Sequence, residues 1–244
     1  MENLKLNIYE TEDKVLTAMA AYFITVAKEA VDANGQFNIS LSGGSSPKKL
    51  YEMLASSDYS EKVDWNKVYF FFGDERYVPD NHPDSNYLMA KKALFEPLQI
   101  PASQIIPVNT TLSPEQSAEA YATAIRTHFK PYNVKFDLVL LGLGDNSHTA
   151  SLFPHTSILA DQKSSVKAVF LEDQQVYRIS MTAPMINDAH HIAFLVYGSG
   201  KAEAVHHVLE DDKNIEEYPA QLIKPVQGDV HWFMDEAAAA LLKK

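Results

Sequence analysis

Residues Phe136–Pro154, FDLVLLGLGDNSHTASLFP, constrain the fold more than any other stretch of this chain. Phe136 to Leu141 is an apolar run of strand length, and it ends abruptly in Gly142-Leu143-Gly144. A run of that kind, apolar on every position and cut off by glycines, reads as a strand buried on both faces of a parallel sheet. Parallel strands need crossover helices, and open α/β sheets take their ligands beyond the carboxyl ends of their strands. The polar cluster Asp145-Asn146-Ser147-His148-Thr149 follows at that end. It gathers a carboxylate, a carboxamide, hydroxyls and one imidazole where chemistry is expected, with His148 the foremost candidate.

Three other segments repeat the pattern of strand, glycine-rich polar loop and helix. Phe37–Leu41 leads into Ser42-Gly43-Gly44-Ser45-Ser46-Pro47, and Lys48–Leu54 continues as a helix with Pro47 in its first turn. Val68–Phe72 ends in Gly73-Asp74-Glu75-Arg76, and His191–Tyr197 ends in Gly198-Ser199-Gly200-Lys201 before a helix to Leu209. A helix is expected over Thr11–Ala33, stopped by Asn34-Gly35. Another is expected over Asn86–Leu98, and one opens at Ser113-Pro114-Glu115-Gln116 with the spacing of a capping box. Further strands are expected at Gln104–Val108, Val166–Leu171, Tyr177–Met181 and Val230–Met234. A short helix is expected at Pro219–Ile223, and Asp235 should cap an alanine-rich terminal helix. The alternation carries no linker or repeat, so it predicts one α/β domain with a mainly parallel sheet, and the four loops should converge.

Composition excludes several functions. Lys and Arg number 21 against 32 Asp and Glu, a net charge of −11, which argues against nucleic-acid binding. An anionic ligand would therefore need cations concentrated at its site. There is no cysteine, so disulfides, thiolate metal sites and thiol nucleophiles are absent, in keeping with a cytoplasmic protein. No apolar run reaches the ~20 residues that span a bilayer, and the N-terminus lacks the pattern of a signal peptide. No metal site is expected, because His190-His191 and His206-His207 lack a second ligand pair at metal spacing and there is no HExxH. Gly142-Leu143-Gly144 lacks the third glycine of a dinucleotide fingerprint, and there is no GxSxG elbow.

Five stretches in order resemble the 6-phosphogluconolactonase family, within the superfamily that includes glucosamine-6-phosphate deaminase. They are SGGSSP (Ser42–Pro47), FFGDERYVP with DSNY (Phe71–Pro79, Asp84–Tyr87), LGLGDNSHTASLFP (Leu141–Pro154), RISMTAP (Arg178–Pro184) and GSGKA (Gly198–Ala202). The resemblance spans nearly the whole chain. It implies a single domain over residues 1–244 with a three-layer, Rossmann-like fold of the sugar-phosphate isomerase/deaminase type. It also implies hydrolysis of 6-phospho-D-glucono-1,5-lactone to 6-phosphogluconate in the pentose phosphate pathway, with no cofactor. The partner would be a small phosphorylated sugar lactone, and the protein a monomer or homodimer. DER and the ASLFP after His148 favour the lactonase over a deaminase, which carries DEY and FNEP. A non-catalytic sugar-phosphate binder is the third reading.

The residues can be assigned to that chemistry. A lactone is an activated ester, and its hydrolysis needs a base for water, donors for the oxyanion and a grip on the phosphate. His148, with an unperturbed pKa of ~6.5, suits the base; the alternative is a structural histidine in a tight loop. The family commonly carries Asp-Gly before this histidine, whereas this chain has Asn146-Ser147; the Asn146 amide oxygen can still accept from the ring, Asp145 sits one position earlier, and which group orients His148 stays open. Ser42, Gly43, Gly44 and Ser45 offer backbone amides at a helix start, or else form a plain turn. Asp74 matches a proton-transferring carboxylate of the deaminases and is read here as a sugar-hydroxyl acceptor. Asp74-Glu75-Arg76 is expected at the pocket rim rather than in the core, with Arg76 able to hold an anion bidentately. By resemblance, Arg178 and Lys201 contact phosphate or acyl oxygen. Thr149 is a possible hydrogen-bond donor, while Ser151 and Phe153 are expected to fix the loop.

Overall fold

The computed structural model describes residues 3–225 and 227–243. Six parallel strands form the central sheet: β1 (Leu4–Tyr9), β2 (Phe37–Leu41), β3 (Val68–Phe72), β5 (Leu138–Leu141), β8 (His191–Val196) and β9 (Asp229–Asp235). Their order is β1-β9-β8-β5-β2-β3. Alternation along each strand sends neighbouring side chains to opposite faces, and this builds two cores. Phe37, Ile39 and Leu41 pack with Leu138, Leu140, Leu195 and Phe233 on one face, under α1 (Glu12–Asn34), α2 (Ser45–Ala55) and α3 (Asn86–Ala90). Val139, Leu141, Phe194, Val196, Trp232 and Met234 pack on the other, under α4 (Pro114–Phe129), α5 (Ala183–Asn187) and α6 (Ala202–Leu209). The layers are therefore helix, sheet, helix, as expected.

Helix ends follow the local chemistry. Thr11 caps α1 by accepting from Lys14 N, and Gly35 ends it in the left-handed conformation that a β-carbon disfavours. Ser113 and Gln116 form the anticipated capping box on α4. Helix α3 is prolonged by a wider turn over Lys91–Phe95.

Three expectations are corrected, and one strand is added. β1 was not anticipated, because its Leu6 and Ile8 are each 45% exposed and give no sign of a buried strand. Gln104–Val108 is not a strand; Ile105 makes a single bridge to Phe70. The residues after Asp235 form hydrogen-bonded turns instead of a helix, with Asp235 accepting from Ala238 N and from Gly198 N. Asp74–Arg76 is a short strand, β4, in a second, antiparallel sheet with β7 (Val176–Met181) and β6 (Val166–Leu171), in the order β4-β7-β6. Gly73 joins β3 directly to β4: its N–H donates to Leu41 O in the first sheet, and its carbonyl accepts from Met181 N in the second.

The site lies where the central sheet reverses. From β2 the chain moves outward to β3, then returns to the other side of β2 as β5. Strands β2 and β5 pair only at Ile39–Leu138 and Ser40–Val139, then part. Such a switch point opens a crevice at the carboxyl ends of the strands. Two buried phenols satisfy backbone groups beside it. Tyr51 of α2 bonds Ser42 N at 3.0 Å and Ser42 O at 2.8 Å. Tyr121 of α4 bonds Phe72 N at 2.7 Å and Phe72 O at 3.1 Å.

Candidate active site

A cavity of about 330 Å³ fills that crevice. The loop after β2 supplies Ser42, Gly43 and Gly44, β4 supplies Asp74 and Arg76, and the loop after β5 supplies His148, Thr149, Ser151 and Phe153. The second sheet closes it with Arg178 and Gln174. Three of the four loops thus converge on the cavity. The fourth reaches its edge through Lys201, whose ammonium is 2.5 Å from Asp145 Oδ1 and does not line the wall. Ser45 is exposed outside it, as the first residue of α2.

His148 is held by three neighbours. Its Nδ1 donates to Asn146 Oδ1 at 2.5 Å, which leaves Nε2 as the unprotonated nitrogen. Phe153 stacks on the ring at 3.9 Å between centroids and 19° between planes. Gly144 crowds the same Nδ1–Cε1 side of the ring as Asn146: a β-carbon there would sit 2.0 Å from Nδ1 and 2.2 Å from Cε1. Ser147 and Ala150 flank it with φ of 59° and 47°, so the loop keeps two non-glycine residues left-handed beside the imidazole. Burial pushes the His148 pKa down to about 4; the Lys201 and Arg178 charges act in the same direction, and Asp74 and Asp145 oppose them. The ring is therefore neutral at physiological pH.

Asp74 and Glu75 lie inside the protein and not at the rim, where β4 pairs with β7 as an edge of the second sheet. Asp74 Oδ2 accepts from Ser151 Oγ at 2.6 Å, which ties the histidine loop to β4. Glu75 is 3% exposed and has no catalytic contact. Its two oxygens accept from Arg76 N, Ser85 Oγ, Asn86 N and Tyr87 N at 2.7–3.2 Å, anchoring the start of α3. Burial raises its pKa, while those backbone donors pull the other way. Asn86 in turn donates to Asp74 O and fills the space beside Gly43, where a β-carbon would lie 2.0 Å from its amide oxygen.

Arg76 and Arg178 are both half-buried and are paired in register across β4 and β7. Arg76 donates to Asp84 O at 2.7 Å, and Arg178 to Gln174 Oε1 at 3.1 Å. Like charges placed opposite each other in a sheet repel, and a bound oxyanion relieves that repulsion. Thr149 spends its hydroxyl on Gly142 O at 2.8 Å, a contact within its own loop. Among the described residues no group of three or more His, Asp or Glu side chains is arranged to hold a metal ion. Among the described residues no helix is long and apolar enough to cross a membrane.

Sequence reasoning gave Asn86 and Gln174 no role. Asn86 sat within a recognised motif without a function of its own. Gln174 comes from a hairpin turn whose sequence carries no signal of a site.

Comparison with known proteins agrees with this geometry. The family described as glucosamine-6-phosphate isomerases/6-phosphogluconolactonase matches residues 10–232. The chain belongs to that family. It is 40% identical over 219 residues to a 6-phosphogluconolactonase of Synechocystis, covering 88% of each chain. It is 41% identical over 223 residues to one from Nostoc, covering 90% of each. The solved 6-phosphogluconolactonase from Trypanosoma cruzi superimposes with a TM-score of 0.87 at 27% identity, over 98% of this chain and 97% of that one.

Proposed function

We propose that this protein hydrolyses 6-phospho-D-glucono-1,5-lactone to 6-phosphogluconate, the lactone step of the pentose phosphate pathway. The observation that carries the reading is His148 in the switch-point cavity, its Nδ1 engaged by Asn146 and its ring neutral beside the paired Arg76 and Arg178. In this mechanism Nε2 of His148 takes a proton from water as the water oxygen attacks the lactone carbonyl. The tetrahedral intermediate then expels the ring oxygen, which receives that proton from the imidazolium. The new carboxylic acid ionises, so one proton is released per turnover.

Arg76 and Arg178 hold the phosphate in this reading, and the amides at Gly43 and Gly44, opening α2, serve as donors to the sugar or its oxyanion. Asp74, fixed by Ser151, accepts a sugar hydroxyl. Asn146 orients His148 through its amide oxygen. Lys201 acts through charge, from the rim. Binding would also tune the base: Arg178 helps hold the His148 pKa down, so a phosphate dianion on Arg178 raises its basicity as substrate arrives. The fold is proposed to act as a single domain.

The test is proton release from freshly generated lactone, corrected for spontaneous hydrolysis. Catalysed release supports the reading. Ammonia release from glucosamine-6-phosphate without lactone turnover would favour the deaminase reaction instead. Binding of 6-phosphogluconate with neither activity would make the protein a sugar-phosphate binder.

A further inference from the structure

β1 is an outer strand of the central sheet. Val230 N–H donates to Asn3 O and Glu236 N–H donates to Tyr9 O, at the two ends of the β1–β9 ladder. The odd-numbered residues of β1 therefore turn their backbone groups toward β9, and Leu4, Leu6 and Ile8 turn theirs outward. The same three residues put their side chains on one face of the sheet. Leu6 and Ile8 are each 45% exposed, and Leu4 lines a cavity of about 370 Å³ in which Val208, Leu209, Val230 and Trp232 stand beside Asp211, Lys213 and Lys224. β1 contains no proline and no positive-φ residue, and its one charged side chain, Lys5, lies on the face opposite Leu4, Leu6 and Ile8.

We propose that two copies of this chain associate through β1, antiparallel about a two-fold axis at Leu6. The register follows from the backbone. Outward groups exist only on even-numbered residues, so even must pair with even, and centring the overlap pairs Leu6 with Leu6 and Leu4 with Ile8. That register joins the outward N–H and C=O groups of Leu4, Leu6 and Ile8 in both copies. It also lines six aliphatic side chains along one face and brings Ile8 of the second copy beside Leu4, at the lip of that cavity. On the other face Lys5 lies opposite Asn7, so no like charges are opposed within the seam. An odd register would set each aliphatic residue against a polar one and leave the outward groups unpaired.

A seam one strand long falls below the ~1,200 Å² of a standard interface, so the dimer is weak and reversible. Each chain carries a net charge of −11, and this long-range repulsion opposes association until salt screens it. Salt therefore strengthens this dimer, the reverse of its effect on one held by ion pairs. β1 contributes no residue to the catalytic cavity, so turnover is unaffected.

Sedimentation velocity across protein concentration at low and high salt tests the proposal, together with disulfide trapping. The native chain has no cysteine, so Leu6→Cys introduces the sole thiol. Residues opposed in a hydrogen-bonded pair have Cα atoms ~5.5 Å apart, within reach of a disulfide. The expected results are a dimer that grows with concentration and salt, and oxidative cross-linking of Leu6→Cys much faster than of Asn7→Cys, which lies on the other face. A wild-type protein that stays monomeric at every concentration and salt would overturn the proposal. So would cross-linking of Leu6→Cys no faster than of Asn7→Cys.

Discussion

Arg76 and Arg178 face each other in register across the β4–β7 pair, both on the wall of the cavity that holds His148. Nothing in the packing of a sheet favours two guanidinium groups so placed, whereas a phosphate does. Alanine at either position is expected to raise KM for the lactone by about 10- to 100-fold, the range for losing a hydrogen bond to a charged group. Steady-state kinetics measure it. The double substitution should cost less than the sum of the two, because the arginines share one anion.

Gly144 abuts the imidazole of His148, the proposed base. A β-carbon there would lie 2.0 Å from His148 Nδ1 and 3.0 Å from Asn146 Oδ1, so Gly144→Ala must displace the imidazole from its hydrogen bond to Asn146. The expected outcome is a loss of kcat of at least about 100-fold, as follows from misplacing a catalytic group by ~1 Å. Affinity for 6-phosphogluconate should be nearly unchanged. Equal losses in kcat and affinity would show that the glycine serves the fold of the loop instead.

Burial and neighbouring cations hold His148 at a pKa of about 4, which yields a signed expectation. In NMR titration of the free protein, the His148 ring should remain neutral down to about pH 5. Inorganic phosphate or 6-phosphogluconate should shift the midpoint upward by neutralising Arg178. Asn146→Asp should also raise it, since a carboxylate favours the imidazolium. That variant is expected to be as active as the wild type or several-fold more active; a loss above tenfold would show that the amide itself is required.

Much of this arrangement was legible in the sequence. The parallel strands β2, β3, β5 and β8 announced themselves because each is buried on both faces and ends in glycine, so hydrophobicity alone marked them. His148, Asn146, Arg76 and Arg178 stood at strand ends or loops that the sheet order then brought together. What was hidden depended on long-range pairing. β4 is three residues long, and only β7, about a hundred residues later, makes it a strand and draws Glu75 into the interior. Ser147 gave no sign of its left-handed backbone, since a serine does not advertise positive φ as glycine does. Asp235 kept its capping bond to Ala238 N, yet the alanines beyond it form turns, because a cap does not by itself sustain a helix.

Glu75 bears on stability more than on chemistry. Its carboxylate accepts from three backbone amides and the Ser85 hydroxyl in a buried setting. Glu75→Ala would leave those donors unsatisfied and is expected to cost about 3 kcal/mol or more in denaturant unfolding. Glu75→Gln keeps both oxygen-side shape and one acceptor and should cost less. Equal stability of Glu75→Ala and the wild type would contradict the anchoring role.

The central claim is that His148 activates water for lactone hydrolysis, and a single comparison tests it most directly. Proton release from fresh 6-phosphogluconolactone is followed with wild-type protein and with His148→Ala, after 6-phosphogluconate binding to both has been shown to be similar. The account requires rapid turnover by the wild type and a fall of at least about 100-fold in the variant, in line with the usual worth of a general base. Turnover that survives the substitution would contradict it and move the base to another group of the cavity, with Asp74 the first to examine.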